Sequence, residues 1–115
     1  MELERINLRG MDYVLGYKVV TRDMKSLGLR NNPNIVKFKI GEWIDLSPDK
    51  IVAGKGDYGG IWLAISSSAG NGLRRYMSKQ YNQKTRMFKS IVRDVLFYNS
   101  YRIKTSGIKL LEEID

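Results

Sequence analysis

Ten lysine and arginine side chains fall between residues 73 and 109: Arg74, Arg75, Lys79, Lys84, Arg86, Lys89, Arg93, Arg102, Lys104 and Lys109. The same stretch carries a single acid, Asp94, so it nets +9 while the whole 115-residue chain nets +8. The preceding residues hold ten basic and eight acidic side chains and are nearly neutral. Segregated positive charge neutralises phosphates, releases their counterions and speeds encounter with polyanions. Aromatic residues interleave with the cations at Tyr76, Tyr81, Phe88, Phe97, Tyr98 and Tyr101, and an exposed aromatic ring gives an unpaired base a surface to stack on. The pattern predicts sequence-tolerant binding of nucleic acid or another polyanion through Arg74, Arg75, Lys79, Lys84, Arg86, Lys89 and Arg102. Helix-turn-helix, zinc-finger and ribonucleoprotein signatures are absent, so phosphate contact rather than base readout carries the expectation. Two other readings use the same residues. The aromatics are core and the charges an ordinary solvated face, or the basic face docks an acidic partner protein, as an adaptor or inhibitor would.

Other chemistries are closed by composition. With no cysteine and no histidine, the chain has no disulfide, thiolate or imidazole metal ligand, cysteine nucleophile or histidine base. No cofactor and no metal site are expected. Gly54, Gly56 and Gly59 spell GxGxxG, but a phosphate cradle of that type opens a helix after a strand. Here the strand-like run 61–65 follows instead, which makes the stretch a loop with Lys55 and Asp57 solvated. Asp45 and Asp49 flank a turn, and no later acid stands two residues before a lysine as a metal-dependent nuclease would need. Ser66–Ser68 lack a histidine to activate a nucleophile, so they read as helix caps.

These groups must be positioned by a single domain, large enough to bury its own core. Residues 11–21 (MDYVLGYKVVT) read as the first strand, with Gly16 at a bulge. Residues 26–34 form a loop. Residues 35–40 alternate, placing Val36, Phe38 and Ile40 on the buried side of a strand. A turn at 41–43 leads to 44–46, and Ser47–Pro48–Asp49 turns again. The apolar run 61–65 is a strand buried on both faces. A helix follows with Leu73, Tyr76, Met77 and Tyr81 on its apolar face, starting late because Gly70 and Gly72 weaken its first turn. Residues 87–98 fit a helix or two strands joined at Arg93–Asp94, with periodicity slightly favouring the helix. Residues 101–105 alternate as a strand, 106–107 turn, and 108–114 close as strand or short helix. The expected fold is α+β, with about five mainly antiparallel or mixed strands and one or two helices. Trp62, Leu63, Ile65, Leu73, Met77, Ile91 and Val95 are the expected core.

Three segments carry a family resemblance: GYKVV at 16–20 leading to Ser26, GGIWLAISSSAGNGLRRYM at 59–77, and YRIKTSGIKLLEEI at 101–114. The middle unit resembles the strand and following helix of ADP-ribosyltransferase-like domains, RNA 2′-phosphotransferases included. Together the three also look like small uncharacterised proteins of archaea and phages. The resemblance implies a concave nicotinamide-dinucleotide-like pocket near Tyr17, Trp62, Ser66 and Tyr76. The chain departs from that family at Lys18, where active members commonly carry His or Arg. Glu112 and Glu113 fall too late to be assigned the family's ribose-orienting role, so the resemblance implies an inactive relative. Residues 1–10 alternate charged and apolar side chains without the apolar core of a signal peptide, and no run approaches a bilayer span. A cytoplasmic, intracellular location with no membrane partner is the expectation.

Overall fold

A computed structural model describes residues 3–29 and 35–114. Among these, eight strands and one α-helix form in the order β1 (Arg5–Leu8), β2 (Met11–Thr21), β3 (Trp43–Asp45), β4 (Ile61–Ala64), α1 (Ser67–Tyr81), β5 (Thr85–Val92), β6 (Val95–Tyr98), β7 (Arg102–Thr105) and β8 (Gly107–Ile114). All pairings are antiparallel. The sheet order is β3-β8-β5-β2-β4-β7-β6, with β1 paired to β2. The α+β expectation holds in outline, but the sheet has more strands than the five expected. Residues 87–98 belong to two strands turning at Arg93 and Asp94, and 107–114 is a strand rather than a short helix.

The strand order forces the sheet to curl. Three strands separate β8 from β7, roughly 19 Å in a flat sheet, yet only Ser106 joins them. A one-residue link reaches about 7 Å, so the sheet rolls until the two ends meet. The same seam takes the tight β5–β6 turn. Arg93 N–H donates to the Gly107 carbonyl at 2.9 Å, and Ser106 N–H to the Asp94 carbonyl at 3.3 Å. Thr105 is buried there, its hydroxyl set among the carbonyls of Arg93, Asp94 and Gly107.

Period-two alternation assigns the faces. Val14 and Val20 of β2, Phe88 and Val92 of β5, Leu63 of β4, Ile103 of β7, and Ile108 and Leu110 of β8 fill the inside of the roll with Phe38. On the outer face Val19, Met87, Ala64 and Ile91 are buried, Met87 and Ala64 against Gly70 of α1, whose Met77 is 2% exposed. Among the described residues no helix is long and apolar enough to cross a membrane.

Several sequence expectations are corrected. Residues 35–40 form no strand, only a bridge between Lys37 and Lys25. Phe38 is buried as the alternation implied, but Ile40 is 51% exposed because no partner strand covers it. The loop expected at 26–34 is seen at 26–29, and 30–34 lies outside the described residues. β2 is preceded by a strand that was not expected, through a tight turn with Arg9 and Gly10 both at positive φ, the geometry that hairpins favour. Gly16 is not a bulge, since it stays in register opposite Ser90. A Cβ there would lie 2.5 Å from the Leu63 side chain, so glycine serves the close approach of β4. The helix begins at Ser67, not late, because Gly70 packs against Met87 and Ser66 caps the first turn, its hydroxyl accepting from Ala69 N–H at 3.1 Å. Of the expected core, Leu63, Ile65, Met77 and Ile91 are buried, while Trp62, Leu73 and Val95 are only partly so.

Candidate functional site

The two halves of the sheet touch weakly at its centre. β2 pairs with β5 over eight residues and β4 with β7 over four, but β2 and β4 share the single pair Tyr17↔Ala64. Beyond it the strands part, and a cleft of about 880 Å³ opens over the gap. Its floor includes Lys18 and Leu63. One wall is α1 with its cap, through Ser66, Ser68, Gly72, Leu73 and Tyr76; the other is Trp62, Asp57 and the turn 99–102; residues 26–29 close one side.

Lys18 sits where the ladder fails. By parity it belongs to the inner face with Val14 and Val20, and it is only 7% exposed. Its Nζ donates to the Trp62 carbonyl at 2.6 Å and lies 5.5 Å from the Phe38 ring centre. No carboxylate among the described residues pairs with it. Burial therefore disfavours its charge and lowers its pKa from 10.5 to about 8.

At the mouth, the Arg102 guanidinium stacks 3.8 Å from the centre of the Trp62 ring and pairs with Asp57 at 3.2 Å. The Trp62 indole N–H donates to the Asp57 carbonyl at 2.9 Å, fixing the ring. Planar guanidinium over indole is a favoured cation–π contact. Tyr76, Tyr81 and Tyr101 line the same opening and are 47%, 56% and 71% exposed. Tyr76 and Tyr81 meet edge to face at 6.0 Å. Of the apolar stripe the sequence predicts on α1 (Leu73, Tyr76, Met77 and Tyr81), only Met77 is fully buried. Asp57, expected to be solvated, is held in the pair with Arg102.

The seven basic residues singled out from the sequence separate into different environments. Arg75, Lys79 and Lys84 are exposed and pair with no acid among the described residues. Arg74, Arg75 and Lys84 border a shallow hollow beside α1. Arg74 is half-buried and structural, donating to the Thr85 carbonyl at 2.9 Å and its hydroxyl at 3.3 Å, which ties α1 to β5. Arg86 is committed to Glu113 by two bonds at 2.7 and 3.0 Å. That pairing holds the Glu113 carboxyl below the usual carboxylate range. Lys89 lies in register opposite Glu112. Arg102 is far along the chain from the helix but shares the cleft with it. The cleft and the hollow meet at α1, because a Cβ on Gly72, which lines the cleft, would lie 3.8 Å from the Arg75 guanidinium.

Trp62, Ser66 and Tyr76 line one cleft; Tyr17 does not. Its hydroxyl turns away to donate to Glu4 at 3.3 Å. Sequence reasoning did not single out Lys18 as a site residue. A signal was present, since a lysine two residues from Val20 in an alternating strand must point to the core. No group of three or more metal-ligating side chains occurs among the described residues. No protein-family model, no curated protein and no solved structure matches this chain.

Proposed function

We propose that this protein binds single-stranded nucleic acid with little sequence preference, seating an unstacked base at the cleft mouth and phosphates along α1. The observation that carries the reading is the Arg102–Trp62 stack, facing exposed Tyr76, Tyr81 and Tyr101 beside the uncompensated Arg75, Lys79 and Lys84. A base paired in a duplex cannot enter such a cleft, whereas a splayed base stacks on any of these rings at about 1–3 kcal/mol each. The phosphates it drags along meet the free cations.

Fluorescence anisotropy with short single- and double-stranded DNA and RNA over a salt series tests this. With the exposed Arg75, Lys79 and Lys84 each taking one phosphate, the log–log salt slope is about −2.1 for a single strand, a loss of roughly twentyfold between 50 and 200 mM. Single strands bind more tightly than duplexes. Flat anisotropy for every oligonucleotide at 50 mM salt removes the reading. Capture of an acidic protein in place of nucleic acid would favour the adaptor role.

A second reading is supported by the convergence of Trp62, Ser66 and Tyr76: a divergent ADP-ribosyltransferase-like pocket that retains a dinucleotide site. Ligand-observed NMR with a nicotinamide dinucleotide tests it, and absence of saturation transfer at millimolar ligand ends it.

A further inference from the structure

The chain contains two buried lysines in different surroundings. Lys104 is fully buried, and its Nζ donates to two carbonyls, Gly54 at 3.1 Å and Gly56 at 3.0 Å. Desolvation lowers its pKa too, opposed by the charge of Asp57. It does not line the cleft. Lys104 is an ammonium suited to its site, clamping the glycine loop onto β7.

Lys18 is not so suited. An ammonium offers three N–H donors, yet among the described residues only the Trp62 carbonyl receives one. A buried cation with no carboxylate beside it is unfavourable by several kcal/mol. The group nevertheless lines the cleft where β2 and β4 part. A protonated imine, by contrast, carries a single N–H and needs a single acceptor. The Trp62 carbonyl at 2.6 Å supplies it, and the Phe38 ring faces the spread positive charge.

We propose that Lys18 is a reactive amine that captures the aldehyde of a phosphate-bearing ligand in the β2–β4 cleft as an imine. The free amine adds to the carbonyl carbon; the C=O bond gives way to C=N, the oxygen leaves as water, and nothing is oxidised or reduced. The imine nitrogen then takes a proton and donates it to the Trp62 carbonyl. Arg102 at the mouth exchanges its Asp57 partner for the ligand's phosphate. Two sources of this chemistry fit: a small phosphorylated aldehyde, or the ring-opened sugar of an abasic nucleotide within a strand. The second rests on the nucleic-acid reading above; the first does not.

A pKa of about 8 instead of 10.5 raises the free-amine fraction at pH 7.5 roughly two-hundredfold. Even after a less basic amine's weaker nucleophilicity, about tenfold faster labelling than at a surface lysine remains. The full chain is incubated with substoichiometric pyridoxal 5′-phosphate, reduced with borohydride and mapped by peptide mass spectrometry. A second arm uses a single-stranded oligonucleotide with one abasic site and cyanoborohydride. The expected result is one adduct at Lys18, lost in Lys18→Arg and in Lys18→Met, with the visible absorption of a protonated imine before reduction. Circular dichroism and melting of both variants separate loss of the amine from loss of the fold. Adduct with the small probe alone assigns the ligand to free phosphorylated aldehydes, whatever becomes of nucleic-acid binding; adduct with both assigns it to the strand. Equal labelling of surface lysines, labelling at Lys104 first, or no trapped adduct overturns the proposal.

Discussion

Replacing Lys18 by methionine removes the buried charge while keeping an unbranched side chain of similar length. The consequence for stability depends on pH. The folded state holds Lys18 at a pKa of about 8 against 10.5 when unfolded. Below pH 8 both states are protonated, and folding bears the full cost of the buried ammonium. That gap, at about 1.4 kcal/mol per pH unit, amounts to about 3 kcal/mol. Between pH 8 and 10.5 the unfolded chain binds more protons than the folded one, so the cost fades as pH rises. The methionine bears no such cost, but it leaves the Trp62 carbonyl without its donor, an expense of about 1–3 kcal/mol at every pH. Lys18→Met is therefore as stable as the wild type or up to about 2 kcal/mol more stable at pH 7. It becomes the less stable of the two near pH 10.5. Urea denaturation of both proteins at intervals from pH 7 to 10.5 measures the difference, in which tyrosines and other common groups cancel. A swing of about 3 kcal/mol across that range is expected. If the two stability curves run parallel, the lysine is not a buried, uncompensated cation and the argument built on it collapses.

Three other perturbations separate structure from binding. Arg74→Ala strips the buried Thr85 carbonyl of a charged donor and lowers stability by about 1.5–3 kcal/mol, whereas Arg75→Ala stays within about 0.5 kcal/mol yet weakens oligonucleotide binding; thermal melts beside anisotropy distinguish them. Glu113→Gln frees the Arg86 guanidinium, so single-strand affinity rises and the salt slope steepens by about 0.7. The same variant abolishes a stability contribution of the wild type that is present above the ordinary Glu value of 4.5 and lost as pH falls through the lowered folded value; unchanged binding and an unchanged acid limb would refute both. Gly16→Ala puts a Cβ 2.5 Å from the Leu63 side chain and 3.1 Å from the Ala64 carbonyl. It destabilises by about 1–3 kcal/mol through overpacking, measured by urea titration, and a neutral result would show that β4 shifts freely.

Local properties were legible without a structure. The bounds of β2, the apolar run that became β4 and the Ser66 cap follow from side-chain period, β-branching and turn chemistry, which act between residues a few positions apart. The charge asymmetry is equally a property of the chain alone. Whether 87–98 is helix or strands was not legible, because short apolar runs satisfy both periods. The register against β2 and β7 decides it. Likewise residues 35–40 alternate as a strand should, yet lack a neighbour to pair with beyond Lys25. A strand exists only when another supplies its hydrogen bonds.

The cleft is wholly a product of tertiary structure. Charge counting grouped seven cations by position in the chain, and the fold regrouped them. It set Arg86 against Glu113, spent Arg74 on Thr85, and brought Arg102 on β7 beside Trp62 of the neighbouring β4 and Asp57, 40 and 45 residues earlier. Composition knows nothing of such pairings, since an acid remote in sequence neutralises a base as well as an adjacent one. Lys18 shows the division most plainly. The alternation of β2 already determined that this lysine points inward with Val14 and Val20. Only the parting of β2 from β4 decided that it would meet one carbonyl, no carboxylate, and the floor of a cleft.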